Sequence, residues 1–161
     1  MENKEKISTA RKLFNLAYKL HMAGDINEAV KAYRHSIHFY PTAKTHTFLG
    51  WAYSVQGKHQ AAIDECLIAI ELDPDYGNPY NDIGMYLFQL KKFAEAIIWF
   101  EKALCIPGYK SRHYPLYNLA KIYEKKGDWT TALQYYNDAL EFKSDYEPAK
   151  AAAMKLMAAM N

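Results

Sequence analysis

The chain has 161 residues, 50% apolar and 24% charged, the ordinary usage of one soluble domain. Its net charge of +2, from 20 basic and 18 acidic side chains, is too small to argue for nucleic acid or an anionic membrane as partner. Two cysteines, Cys66 and Cys105, are too few for a small secreted disulfide scaffold, and no run approaches the ~18 apolar residues of a membrane span, so a reduced, cytoplasmic setting is expected.

The polar start, Met1 to Lys6, lacks the apolar core of a signal peptide. Leu13, Leu16, Ala17 and Leu20 recur at helical spacing and predict a helix over 9–22. After a break at Gly24, Ala29 and Tyr33 predict a second over 26–40, which Pro41 closes. Asp25-Ile26-Asn27-Glu28 has the acceptor-x-x-Glu form that satisfies first-turn amides. A third helix is expected over 43–56 (Leu49, Gly50, Tyr53) and a fourth over 59–72 (Ala62, Cys66, Ala69), split at Gly57 and closed by Pro74. The fifth, 77–90, carries Tyr80, Ile83, Gly84 and Leu87; the sixth, 93–106, carries Ala96, Phe100 and Ala103 and stops at Pro107. Leu119, Ala120 and Tyr123 predict a seventh over 113–126. Beyond Gly127, Ala132, Tyr136 and Ala139 predict an eighth over 129–142. Ser144-Asp145-Tyr146-Glu147 repeats the capping pattern before a ninth helix over 145–160, rich in alanine and methionine. No alternation of period two is long enough to propose a strand.

These elements repeat. Units begin near Ala10, Ala43, Gly77 and His113, at spacings of 33, 34 and 36 residues. Small residues (Gly50, Gly84, Ala120, Ala62, Ala96, Ala132) sit where two helices of a pair would approach, with large residues three and four positions away. Leu49-Gly50, Tyr53, Ala62, Ala69 and Pro74, with their counterparts in the other units, resemble the tetratricopeptide repeat (TPR), a helix-turn-helix motif of 34 residues. The resemblance implies an all-α fold, a right-handed α-α superhelix of four helix pairs with a C-terminal capping helix. It is expected as one domain over 1–161, with repeats at 10–42, 43–76, 77–112 and 113–146 and the cap at 145–160. The two extra residues before the fourth repeat, around Pro107 to Arg112, are read as a longer turn. The segments Asp73 to Gly84 and Tyr117 to Ala120 also resemble small stand-alone bacterial TPR proteins of unassigned role.

No G-x-S-x-G, P-loop, G-x-G-x-x-G or H-E-x-x-H motif occurs, so no catalytic residue is nominated and the chain is not expected to be an enzyme. An enzyme would need a perturbed titratable cluster in a pocket, and none is expected. His35 and His38 have a spacing compatible with a shared metal but no cysteine or close carboxylate to complete it. No metal and no cofactor are expected. Cys66 reads as a packing thiol, and Cys105, near a helix end, as partly exposed.

Function must then reside in a surface. In the family, the first helix of each repeat lines the concave side. The resemblance thus places Arg11, Phe14, Tyr18, His21 and Met22 there from the first repeat, and Lys44, Thr47, Trp51, Ser54 and Val55 from the second. The third contributes Asn78, Asn81, Met85, Phe88 and Gln89, and the fourth Tyr114, Tyr117, Lys121, Glu124 and Lys125. The aromatic load exceeds what core packing needs and suits peptide recognition. The candidate partner-binding residues are therefore Phe14, Tyr18, Trp51, Asn78, Asn81, Met85, Phe88, Tyr114, Tyr117, Lys121 and Lys125. Lys121 and Lys125, with Lys110 and Arg112 nearby, either make one end basic or form a solvated face. The lysine and asparagine clamp by which chaperone-binding members hold a C-terminal carboxylate is missing. Phe14, Tyr18, Phe48, Asn78 and Asp82, or Thr47, Trp51, Asp82, Tyr114 and Asn118, stand at its positions. The expected role is an adaptor, monomeric, that binds a protein or peptide partner. The alternative is a structural protein that self-assembles through the groove or through Met154, Met157 and Met160 of the last helix.

Overall fold

The computed structural model describes residues 2–161 and contains nine α-helices and no strand among them. They are α1 (Asn3–Met22), α2 (Ile26–Phe39), α3 (Ala43–Val55), α4 (His59–Leu72), α5 (Asn78–Gln89), α6 (Phe93–Cys105), α7 (His113–Lys125), α8 (Trp129–Phe142) and α9 (Glu147–Met160). Consecutive helices pair as α1/α2, α3/α4, α5/α6 and α7/α8, each pair packs on the next, and α9 closes the array against α8. The result is an all-α superhelix of helix pairs. None of these helices is long and apolar enough to cross a membrane.

Small residues set the distance within each pair. A Cβ added at Gly50 would come within 2.9 Å of the Ala62 carbonyl oxygen, and one at Gly84 within 2.5 Å of the Phe100 ring. Ala62, Ala96, Ala120 and Ala132 are fully buried. The turns inside the pairs share one geometry. Gly24, Gly57 and Gly127 adopt φ of +87°, +76° and +79°, where a side chain is strained. The residue after each returns its N–H to the helix just ended, as Asp25 does to the Leu20 carbonyl oxygen at 2.9 Å. In the third pair this left-handed position is held by Lys91, φ +60°.

Buried side chains form three clusters. The first joins α1, α2 and α3 around Ala17, Tyr33 and Leu49; the second joins α4 to α7 around Cys66, Ile83, Phe100 and Leu119. The third joins α7, α8 and α9 around Tyr136, Ala149, Ala153 and Leu156. Tyr53 packs on the first and second, and Tyr123 and Tyr135 on the second and third. Two buried polar groups are matched across helices: the Ser36 hydroxyl donates to the Ala10 carbonyl oxygen (2.8 Å), and His46 Nδ1 meets Glu65 Oε2 at 2.6 Å.

Four details differ from the sequence reading. Helix α1 begins six residues earlier, because Asn3 to Ser8 continue the helical path ahead of the apolar stripe. Neither expected capping box forms: Asp25 stands at the N-cap of α2 but its side chain makes no cap, and α9 is preceded by Tyr146, not Ser144. Side-chain caps come instead from Thr42 to the Thr45 N–H and from Asp128 to the Thr131 N–H, both at 3.1 Å. The segment before α7 is more than a longer turn. It drives Tyr109 into the junction of the third and fourth repeats, where the ring is buried against Gly77 so closely that a Cβ there would lie 2.4 Å from it.

Candidate functional site

A groove of about 650 Å³ runs between α3 and α5, with the α7 side chain Tyr114 at its far side. Helical periodicity builds it. Thr47, Trp51, Ser54 and Val55 share one stripe of α3, and Asn78, Asp82, Met85 and Gln89 share the facing stripe of α5. Trp51, Met85 and Tyr114 remain 38%, 42% and 43% exposed, large apolar surfaces that the fold leaves uncovered. His21 packs against Trp51 with ring centres 4.0 Å apart and planes tilted by 40°, and Tyr114 packs against His113 at 4.1 Å and 42°, so both aromatic walls are held from behind. Burial lowers the pKa of both histidines, which favours the neutral ring in these contacts.

Nine of the eleven candidate residues read from the sequence divide into three groups. Trp51, Asn78, Met85 and Tyr114 come together in the groove. Phe14 and Tyr18 extend it toward the first repeat through Phe48, whose ring lies 5.2 Å from Phe14, 5.8 Å from Tyr18 and 5.9 Å from Trp51. Phe14 is half-buried and also borders a second cavity of about 340 Å³ with Arg11 and Lys44, the Lys44 ammonium 4.8 Å from its centroid. Phe88 forms the third group with Lys121 and Lys125, whose ammonium groups sit 5.2 and 5.8 Å from its ring. Lys121 is also 5.6 Å from the ring of Tyr117. Arg112 does not join them, because its guanidinium donates to the Ile106 carbonyl oxygen at 3.1 Å and covers Phe142.

Two of the candidates are turned inward. Asn81 is buried, its amide oxygen accepting from Asn118 Nδ2 at 3.2 Å, so it ties α5 to α7 instead of facing a ligand. Tyr117 is half-buried between Tyr136 at 5.7 Å and Tyr146 at 5.5 Å, part of the packing under α9.

Four lining residues were absent from the expected concave set: Phe48, His59, Asp82 and Tyr86. Asp82 and Tyr86 follow Asn78 by one and two helical turns, a signal that was readable. His59 starts α4, and only the folding of the pair brings it under the groove, its ring stacked on Tyr86.

Asp82 is a perturbed titratable group in the groove lining, where the sequence led us to expect no perturbed cluster. Burial pushes its carboxyl up to about 7, against which the Asn81 amide works in the opposite direction. Its charge in turn helps to raise Cys66, Tyr76, Tyr86 and Tyr109, each held up chiefly by its own burial. None of the four ion pairs among the described residues reaches Asp82. The groove thus has one acidic side chain and neither lysine nor arginine in its lining.

Known proteins resemble this chain along most of its length. The structure of pilF from Pseudomonas aeruginosa superimposes with a TM-score of 0.88 at 17% identity, over 97% of this chain and 71% of that one. YrrB, described as a TPR protein with an unusual peptide-binding site, gives 0.70 at 18%, over 90% of this chain and 74% of that one. Anaphase-promoting complex subunit 6 of Arabidopsis thaliana is 28% identical over 137 residues, 83% of this chain and 25% of that protein. The chain spans less than a third of the length of the first curated relatives it matches. Models of the tetratricopeptide repeat match residues 49–112 and 113–146, a continuous stretch of more than half of the sequence. The chain belongs to the tetratricopeptide-repeat family.

Proposed function

We propose that this protein is an adaptor without catalytic activity that holds an extended segment of a partner protein in the groove between α3 and α5. Tetratricopeptide repeats are protein-protein interaction modules in general. The observation that carries the finer reading is the uncovered apolar surface of Trp51, Met85 and Tyr114 around a concavity of peptide-sized volume. Asn78 and Gln89 supply amide groups along the same lining, suited to the backbone of an extended chain. Phe14, Tyr18, Phe88, Lys121 and Lys125 flank it and would extend the contact. Affinity capture from native lysate with the wild type and with Trp51→Ala/Tyr114→Ala, read by mass spectrometry, tests this. A partner retained by the wild type and lost by the folded double variant is the expected result; equal capture by both would remove the groove from consideration.

A second reading has one observation of its own. Helix α9 buries Ala149, Ala153 and Leu156 yet leaves Met154, Met157 and Met160 exposed at 61%, 43% and 44%. Self-association through that stripe predicts a molecular mass in light scattering that rises with concentration and returns to the monomer in Met154→Lys/Met157→Lys.

A further inference from the structure

We propose that the segment bound in the groove presents a lysine or arginine side chain whose head group seats on Asp82. This deepens the groove reading and rests on it.

The argument is one of charge complementarity in a desolvated place. Asp82 lies in the lining stripe of α5, between Asn78 and Met85, and keeps partial exposure on the groove side. The titratable side chains around it are His59 and Cys66 from α4, Tyr76 from the α4–α5 turn, Tyr86 from α5, Tyr109 from the α6–α7 segment and Tyr114 from α7. There is no lysine or arginine among them, and the carboxylate is in no ion pair. Burial raises Cys66, Tyr76, Tyr86 and Tyr109, so none takes up or offsets the charge by ionising. A carboxyl held up at about 7 in such a lining is short of a cation.

The rest of the lining suits the side chain that would carry that cation. Lysine and arginine have apolar stems and charged heads, and the stem needs apolar wall while the head needs a carboxylate. Trp51, Val55 and Met85 supply the wall, and the exposed rings of Trp51 and Tyr114 favour a cation over an anion in the same space. An acidic side chain would meet Asp82 with like charge in a low-dielectric setting, and an apolar one would leave the carboxylate without a partner.

The test selects short random peptides, displayed on phage, on the whole protein. Enriched sequences are then synthesised and titrated by Trp fluorescence or anisotropy against wild type, Asp82→Asn and Trp51→Ala/Tyr114→Ala. Asparagine keeps the shape at position 82 and removes a desolvated charge, so the variant is expected to fold. The expected result is a shared lysine or arginine, with at least about tenfold loss of affinity on replacing it by norleucine or citrulline, and a similar loss in Asp82→Asn. Binding should also weaken as the pH falls from about 8 to about 5, where Asp82 takes up its proton. Peptides that depend on Trp51 and Tyr114 but bind Asp82→Asn undiminished would overturn this inference and leave the groove reading standing. Peptides indifferent to Trp51 and Tyr114, or no enrichment at all, would overturn both.

Discussion

Replacing Asp82 by asparagine should make the free protein more stable, and more so at higher pH. The folded state raises the carboxyl from 3.8 to about 7 because it is buried without a cation. Its protonated form is therefore the one the fold prefers. Stability from this group is greatest below the unfolded value and is lost as the pH rises from about 4 to about 7. Each pH unit between the two values is worth about 1.36 kcal/mol, so the ionised carboxylate costs the fold up to about 4 kcal/mol. More than half of that, about 2.5 kcal/mol, develops between about pH 5 and about pH 8. Solvent in the open groove reduces the figure, and the asparagine amide carries a desolvation cost of its own. The expected advantage of Asp82→Asn at about pH 8 is thus about 1–3 kcal/mol, shrinking at about pH 5. Urea titrations followed by far-ultraviolet circular dichroism at both pH values measure it, and the difference between wild type and variant cancels every other titrating group. Equal midpoints at both pH values, or a variant less stable at the higher one, would refute the claim that Asp82 is buried without a charge partner.

Two further changes test the scaffold. Lys91→Gly relieves the side chain at φ +60° and brings the third pair into line with Gly24, Gly57 and Gly127; it should stabilise by about 1 kcal/mol in the same urea assay. Tyr109→Ala empties the junction beside Gly77 and should cost about 3 kcal/mol, with Tyr109→Phe much milder because the hydroxyl has no hydrogen-bond partner.

The helices were legible because their signal is periodic and local. Leu49, Gly50 and Tyr53 against Ala62 and Cys66, or Ile83 and Gly84 against Ala96 and Phe100, define a pair from spacing alone, and the proline and glycine breaks fall where the chain turns. The ends were less so. Asp25 has the residue type and the position for a cap, and its counterpart Asp128 makes one, but its own side chain does not, and side-chain orientation is not written in residue type. The start of α1 lies in a polar stretch with no apolar period to mark it. For the groove, knowing which helix faces inward recovered Thr47, Trp51, Ser54, Val55, Asn78, Met85, Gln89 and Tyr114. What it could not separate was a side chain near the concave face from one free on it: Asn81 and Tyr117 are held by Asn118 and by Tyr136 and Tyr146, neighbours distant in sequence. The state of Asp82 was hidden for the same reason, since burial is a property of the assembled walls.

The division of the interior into three clusters has a consequence for how the molecule opens. The boundary between the first and second clusters passes through the second repeat, with α3 on one side, α4 on the other and Tyr53 touching both. Because the two helices of a pair are the most closely packed neighbours in the array, with Gly50 against Ala62 and His46 against Glu65 joining α3 to α4, the second pair staples these clusters together, and opening starts at the end of the array, where α1 and α2 are supported from one side alone. Amide hydrogens of α3 should then exchange with solvent sooner than those of α5, although the two helices form opposite walls of one groove. Whatever occupies that groove bridges the second and third pairs: ligand binding would slow exchange in α3 and α4 more than in α8 and α9.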